Sequence, residues 1–96
     1  MDQGGARVQV MLPRALWEYT DGKDFVDLTA ATLAEAVAAL NARFPGLAYR
    51  LLDDQGNLRK YVLAFVNDEA VSQGDPKSVD LKDGDTVYLV PSVAGG

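Results

Sequence analysis

Ninety-six residues, 48% of them apolar and 24% charged, describe one small globular domain rather than a disordered chain. A chain of this length buries only about 60–65% of its unfolded surface, so it builds a single compact core with no room for a deep catalytic cleft inside a larger scaffold. The absence of cysteine and histidine excludes disulfides, thiolate nucleophiles, the usual general base and the commonest zinc ligands, and the net charge of −5 argues against nucleic acid, whose phosphates demand a basic face. No apolar run approaches the roughly twenty residues of a membrane span, and no signal peptide opens the chain. The expectation is a cytoplasmic protein that works through partners, with no nucleic acid and no membrane among them.

Residues 1–5 are polar and glycine-rich and read as a frayed start. Arg7-Val8-Gln9-Val10-Met11-Leu12 alternates, with Val8, Val10 and Leu12 on one face, which predicts a strand. Pro13 closes it, because proline cannot donate to a ladder. Trp17 reads as a packed anchor at the base of the loop that follows. Asp21-Gly22-Lys23-Asp24 supplies turn chemistry, and Phe25-Val26-Asp27-Leu28 predicts the returning strand of a hairpin.

Thr32-Leu33-Ala34-Glu35 is a capping box, in which the threonine oxygen takes a free backbone donor and the glutamate reaches back. Leu33, Val37, Leu40 and Phe44 then fall at helical spacing on one apolar stripe. Ala34, Ala36, Ala38 and Ala39 add helix propensity without bulk, and Pro45-Gly46 ends the helix. Residues 47–52 suit one further short helical turn, and Asp53-Asp54-Gln55-Gly56-Asn57 is a loop. Tyr61-Val62-Leu63-Ala64-Phe65-Val66 is apolar on both faces, as an interior strand is. Asn67-Asp68 predicts a turn into a short Ala70-Val71 strand. After a polar connection, Asp83-Gly84-Asp85 is a tight turn, Thr86-Val87-Tyr88-Leu89-Val90 the last strand, and Pro91 its end.

This order predicts a two-layer α+β domain: a mixed sheet of four to five strands with one main helix packed on one face, the β-grasp (ubiquitin-like) arrangement. A right-handed crossover places the first and last strands side by side in the middle of the sheet. Residues 1–91 form the domain, and residues 92–96 are expected as a flexible tail with an extended reach of about 17 Å. One helix covers one sheet face, yet the third and last strands are apolar on both. The uncovered face, with Tyr61, Leu63, Phe65, Tyr88 and Val90, is therefore a candidate partner surface. The tail carries the chemistry. A carboxylate on Gly95-Gly96 has no side chain crowding it, and glycine threads a narrow channel in conformations that other residues avoid.

The helix cap, the run Leu81-Lys82-Asp83-Gly84-Asp85-Thr86-Val87-Tyr88-Leu89-Val90-Pro91, the Val66-Asn67-Asp68 segment and the final Gly95-Gly96 together resemble the ubiquitin-like sulfur carriers. That MoaD/ThiS-like family includes the small subunit of molybdopterin synthase and the thiamine sulfur carrier. The likeness covers essentially the whole chain. Leu12-Pro13-Arg14-Ala15-Leu16, residues 61–69 and Pro91-Ser92-Val93-Ala94-Gly95-Gly96 look closest to the actinobacterial carrier of cysteine synthesis from O-phosphoserine. The resemblance implies that a ubiquitin-activating-type adenylyltransferase/sulfurtransferase uses ATP to adenylate the Gly96 carboxylate, and that sulfur then displaces AMP to leave a thiocarboxylate. Ser92, Val93, Ala94 and Gly95 would line the partner channel. In the cysteine branch the acceptor is a pyridoxal phosphate enzyme, and a zinc metallopeptidase then removes the new cysteine. The resemblance thus implies a protein co-substrate rather than an enzyme, with no metal or cofactor bound by the chain itself.

Other readings belong beside this one. The acceptor could instead be molybdopterin synthase, with this chain as its small subunit, or a secondary-metabolite sulfurtransferase that thiolates a sugar. A ubiquitin-like modifier would pass the same activated tail to lysine amines. A non-covalent interaction domain would use the open face and leave Gly96 untouched. Asp80-Leu81-Lys82-Asp83-Gly84-Asp85 lacks the alternating oxygen ligands and distal glutamate of a calcium loop and reads as a turn. Asp53-Asp54 and Asp68-Glu69 have no apolar surroundings to raise a pKa and read as solvated loop charge. Gly4-Gly5 is too isolated for a phosphate loop.

Overall fold

The computed structural model describes residues 5–59, 62–71 and 76–91. Its five strands are β1 (Ala6–Met11), β2 (Phe25–Ala30), β3 (Val62–Val66), β4 (Glu69–Val71) and β5 (Thr86–Pro91), and they form one sheet in the order β2-β1-β5-β3-β4. Helix α1 (Leu33–Arg43) is followed by the single turn α2 (Leu47–Leu51). The mixed sheet with a helix on one face is the expected β-grasp. β1 and β2 are the expected antiparallel hairpin, β1 and β5 run parallel at the centre, and β3 pairs antiparallel with both β5 and β4.

Alternation sorts the strands into two faces. Val8, Val10, Val26, Ala64, Val87 and Leu89 point under α1 and are buried, where they meet Leu33, Ala36, Val37 and Leu40 of the helix. Phe44, the fourth member of the helical stripe, sits at the C-cap and is half-buried against the same core. The capping box forms with one change. Thr32 Oγ1 accepts the Glu35 backbone N–H at 3.2 Å, while the Glu35 carboxylate reaches one residue further back, to the N–H of Ala31 at 2.8 Å. The bridge Thr32↔Asp80, flanked by the bonds Leu33 N–H to Val79 O and Leu81 N–H to Ala31 O, straps the start of α1 to the segment ahead of β5.

Asn41 couples α1 to α2. Its side-chain oxygen accepts the N–H groups of Gly46 at 3.0 Å and Ala48 at 3.1 Å, and so supplies the N-terminal cap that Gly46 has no side chain to give. Asp53 does more than carry solvated charge: its carboxylate accepts the N–H groups of Gln55 and Asn57 and closes the loop around itself. Asp54, Asp68 and Glu69 are exposed, as expected.

The segment 82–85 is a turn, and its carboxylates are taken up by protein donors. Asp83 accepts the Arg7 N–H at 2.8 Å, and Asp85 accepts the Lys82 N–H at 2.8 Å and the Asn67 side-chain amide at 3.0 Å. Gly84 sits at φ +89, a region in which a side chain is strained. Asn67, at φ +58 in the β3–β4 turn, returns the contact by accepting the Thr86 N–H at 3.1 Å. The sequence also failed to mark a 3-10 turn over Arg14–Tyr19, which occupies what reads as a loop.

Two measurements follow from these contacts. Thr32→Ala should cost about 1 kcal/mol and lower Tm by roughly 4–8 °C, read by thermal unfolding. The Lys82 N–H and then the Asn67 amide hold the Asp85 carboxyl below its ordinary pKa. Because the folded value is the lower one, this stabilisation is present in full above the unfolded value and is lost as pH falls through the folded one. Denaturant titrations of wild type and Asp85→Asn should therefore differ most near neutrality and converge as pH falls through the lowered folded-state value. A difference that stays constant with pH contradicts the assignment.

Candidate functional site

β5 ends at Pro91, which stands in register with Val62 at the start of β3. The tail is therefore delivered at the end of the sheet where β1 also ends, because β1 and β5 run parallel. The tail residues Ser92, Val93, Ala94, Gly95 and Gly96, and Tyr61 of the candidate partner face, lie outside the described residues. The other four partner-face residues share the surface away from α1. Leu63, Tyr88 and Val90 are 39%, 41% and 39% exposed, and Phe65 is half-buried among them.

Register extends this surface beyond the four. Phe25 lies opposite Met11, Met11 beside Tyr88, Tyr88 opposite Phe65, and Phe65 opposite Ala70, so one apolar row crosses all five strands. Leu63 and Val90 form a second pair towards the tail. Met11 and Phe25 were not expected here. The alternation that buries Val10 and Val26 already turns both to the open side, but only strand pairing brings them into line with Tyr88. A contiguous exposed apolar row of this kind marks a contact surface.

Around the root of β5 the structure also forms a cleft of about 440 Å³ that the sequence did not suggest. Pro13 with Leu16 and Tyr19 of the 3-10 turn that follows it form one wall, Tyr49, Arg50 and Leu51 of α2 another, and Val62, Leu89 and Val90 the floor and rim. Trp17 anchors this region as expected, its Nε1–H donating to Leu12 O at 3.0 Å. Thr20, fully buried, donates its hydroxyl to Lys23 O at 3.0 Å and ties the 3-10 turn to the β1–β2 connection. Three guanidiniums lie over rings here: Arg14 over Trp17 at 5.5 Å, Arg50 over Tyr19 at 4.3 Å and Arg59 over Tyr49 at 5.3 Å. The Arg59 Nε–H also donates to Tyr49 O at 3.0 Å. Cation–π stacking fixes these cations at the end of the domain that bears the tail.

Among the described residues no cluster of three or more acidic side chains is arranged to hold a metal ion, and no helix is long and apolar enough to cross a membrane. The arrangement offers a binding face and a strand that presents its C-terminal end.

Fold and site together define a β-grasp protein of the ubiquitin-like class. More narrowly, the chain belongs to the ThiS family, whose model matches residues 10–96. It is 35% identical over 91 residues to the sulfur carrier protein CysO of Mycobacterium tuberculosis, covering 93% of this chain and 98% of that one. A chain in the crystal structure of the Amycolatopsis orientalis BexX/CysO complex superposes with a TM-score of 0.82 at 35% identity, covering 93% of this chain and 99% of its own. Small archaeal modifier protein 3 of Haloferax volcanii is 38% identical over 66 residues, 69% of this chain and 71% of that one. These relatives are carriers and modifiers rather than enzymes.

The two sheet faces should respond differently to truncation. Leu89→Ala, which removes a buried side chain from the core, should cost about 2–4 kcal/mol, whereas Leu63→Ala on the open face should cost under about 1 kcal/mol, both by urea unfolding. Equal losses would contradict the division of the faces.

Proposed function

We propose that this protein is a sulfur carrier whose Gly96 carboxylate is adenylated and converted to a thiocarboxylate, with cysteine biosynthesis as the favoured destination of the sulfur. The observation that carries the reading is that the match to the ThiS family runs through Gly96 itself, so the Gly95-Gly96 end belongs to the family pattern. The likeness to CysO over 93% of the chain supports the choice of pathway.

Attack of the Gly96 carboxylate on ATP gives an acyl-adenylate and releases pyrophosphate. A sulfur nucleophile then displaces AMP and leaves sulfur on the C-terminal carbonyl. The chain supplies no base and no metal ligand to either step, so both belong to an activating enzyme. Its own part is to present the end of β5 and to dock. Gly95 keeps the approach to the carbonyl free of a side chain, and Ser92, Val93 and Ala94 are small enough to follow it into a channel. The apolar row through Leu63, Phe65 and Tyr88, with Val90 towards the tail and Tyr61 next to β3, is the docking surface for the activating and acceptor enzymes. The acceptor is a pyridoxal phosphate enzyme, followed by a zinc metallopeptidase that frees the cysteine. That a CysO chain occurs in complex with BexX supports the general idea that such carriers dock on partner proteins.

The Haloferax volcanii modifier, at 38% identity, favours a second reading, in which the activated tail is passed to lysine amines of other proteins. The two readings differ in what accumulates. Incubated with ATP, sulfide and the activating enzyme, the carrier should gain the mass difference of one oxygen replaced by sulfur, in a form that iodoacetamide alkylates. A modifier should instead give stable isopeptide adducts in lysate. Gly95→Val should fold normally yet resist activation, and equal turnover of that variant would remove the steric argument. Tyr88→Asp should leave the circular dichroism spectrum intact and lower kcat/KM for adenylation at least about tenfold, as loss of a central interface anchor does.

A further inference from the structure

We propose that the outer edge of β2 is a strand-addition site for an extended segment of a partner protein, one that carries a lysine or arginine opposite Asp27 and small apolar residues on the side facing α1. The site is separate from Gly96, and nothing in it depends on sulfur.

The backbone of β2 supplies the site. β2 and β4 are the borders of the sheet; β4 has three residues and β2 has six, so β2 is the border long enough to seat a strand. The Leu12 N–H donates to Asp24 O at 2.8 Å, which fixes the phase of the β1–β2 ladder. Hydrogen-bonded pairs alternate along an antiparallel ladder, so Val26, Leu28 and Ala30 turn their N–H and C=O groups to β1, opposite Val10, Val8 and Ala6. Phe25, Asp27 and Thr29 turn theirs outward, and no described residue takes them up. Donors and acceptors at every second residue of a free border are what an added strand pairs with.

The flanks select the kind of strand. On the α1 side, Val26 and Arg43 line one depression, and Leu28, Ala39 and Arg43 line another. The two share Asp27 and Arg43, so they adjoin along the border. Side chains of an added strand alternate as those of β2 do, and those on this side would rest on Leu28, Ala39 and the alkyl stem of Arg43. Small β-branched residues suit that seat. On the open side stands Asp27, exposed, with Gln9 as its neighbour on β1 and no ion pair among the described residues. Opposite charges across a strand pair attract, and like charges repel. The net charge of −5 acts in the same sense. A strand with a cation opposite Asp27 is therefore favoured over a second β2 edge, which brings carboxylates of its own.

The test follows the full chain, labelled with nitrogen-15, during titration with the capped heptapeptide Ser-Thr-Val-Lys-Val-Thr-Ser. This peptide reads alike in both directions and sets its lysine between two valines. Half-saturation is expected on the order of 1 mM, and no saturable binding below about 10 mM would overturn the proposal. At about five times the dissociation constant, solvent exchange should slow about sixfold at the Phe25, Asp27 and Thr29 amides. Exchange at Val26 and Leu28, whose amides β1 already holds, should stay as it was. Replacing the peptide's lysine by glutamate should weaken binding about threefold or more, and Asp27→Lys should reverse the preference. If Asp27→Lys fails to fold, the two peptides on the wild-type chain still decide the matter. Exchange that slows at all five amides alike, or shifts confined to Leu63, Phe65 and Tyr88, would overturn the site. Equal binding of the two peptides would overturn the basic partner. Shifts at the three outward amides on concentrating the chain alone would give the edge to a second copy and overturn the proposal likewise. No readout involves ATP, sulfide or Gly96, so sulfur carriage and strand addition stand or fall separately.

Discussion

The parallel pairing of β1 with β5 is the constraint on which the rest of the molecule depends. Parallel neighbours cannot be joined by a tight turn; the chain has to leave the sheet, cross its face and return. Here the excursion runs through β2, α1, α2, β3 and β4 before β5 comes back to the centre. α1 is the part of that path that covers one face, and Val10 and Val87, paired across β1 and β5 and almost inaccessible, are the contact it covers. The same pairing sends both strands out at one end. The 3-10 turn that follows β1 and the end of β5 are neighbours for that reason, and with α2 they enclose the cleft.

Much of this was legible in the sequence because it is local. The Thr32–Glu35 cap, the Leu33–Val37–Leu40 stripe and the turn around Gly84 each declare themselves within a few residues, through hydrogen-bond geometry, a 3.6-residue period and a backbone angle. The parallel centre followed from element order and crossover handedness. What stayed hidden depends on long-range register. Arg14 and Trp17 are three apart, but Arg50 meets Tyr19 across thirty-odd residues of chain, on a helix placed by the Asn41 cap and the buried Leu47 and Leu51. The 3-10 turn is held by the Trp17 indole and the Thr20 hydroxyl, contacts that exist once the ends of β1 and β2 are in place. The apolar row across the open face was half visible: strand composition pointed to Leu63, Phe65, Tyr88 and Val90, while pairing added Met11 and Phe25.

The two faces divide the work. Residues under α1 secure the fold, and their neighbours one position along each strand are free to meet partners. Because side chains alternate, every second position of β3 and β5 can be tuned for recognition with little consequence for folding.

An apolar surface of this kind brings a hazard as well as a use, and the sheet edges limit it. β4, at one border, is only three residues long, too short to template another strand. β2, at the other, is six residues long and carries Asp27 at its middle, with Asp24 just before it. Negative charge along the longer border opposes edge-to-edge pairing of identical chains, because like charges meet when two such borders approach. The molecule can therefore expose a greasy face without offering an edge on which copies of itself would stack into fibres.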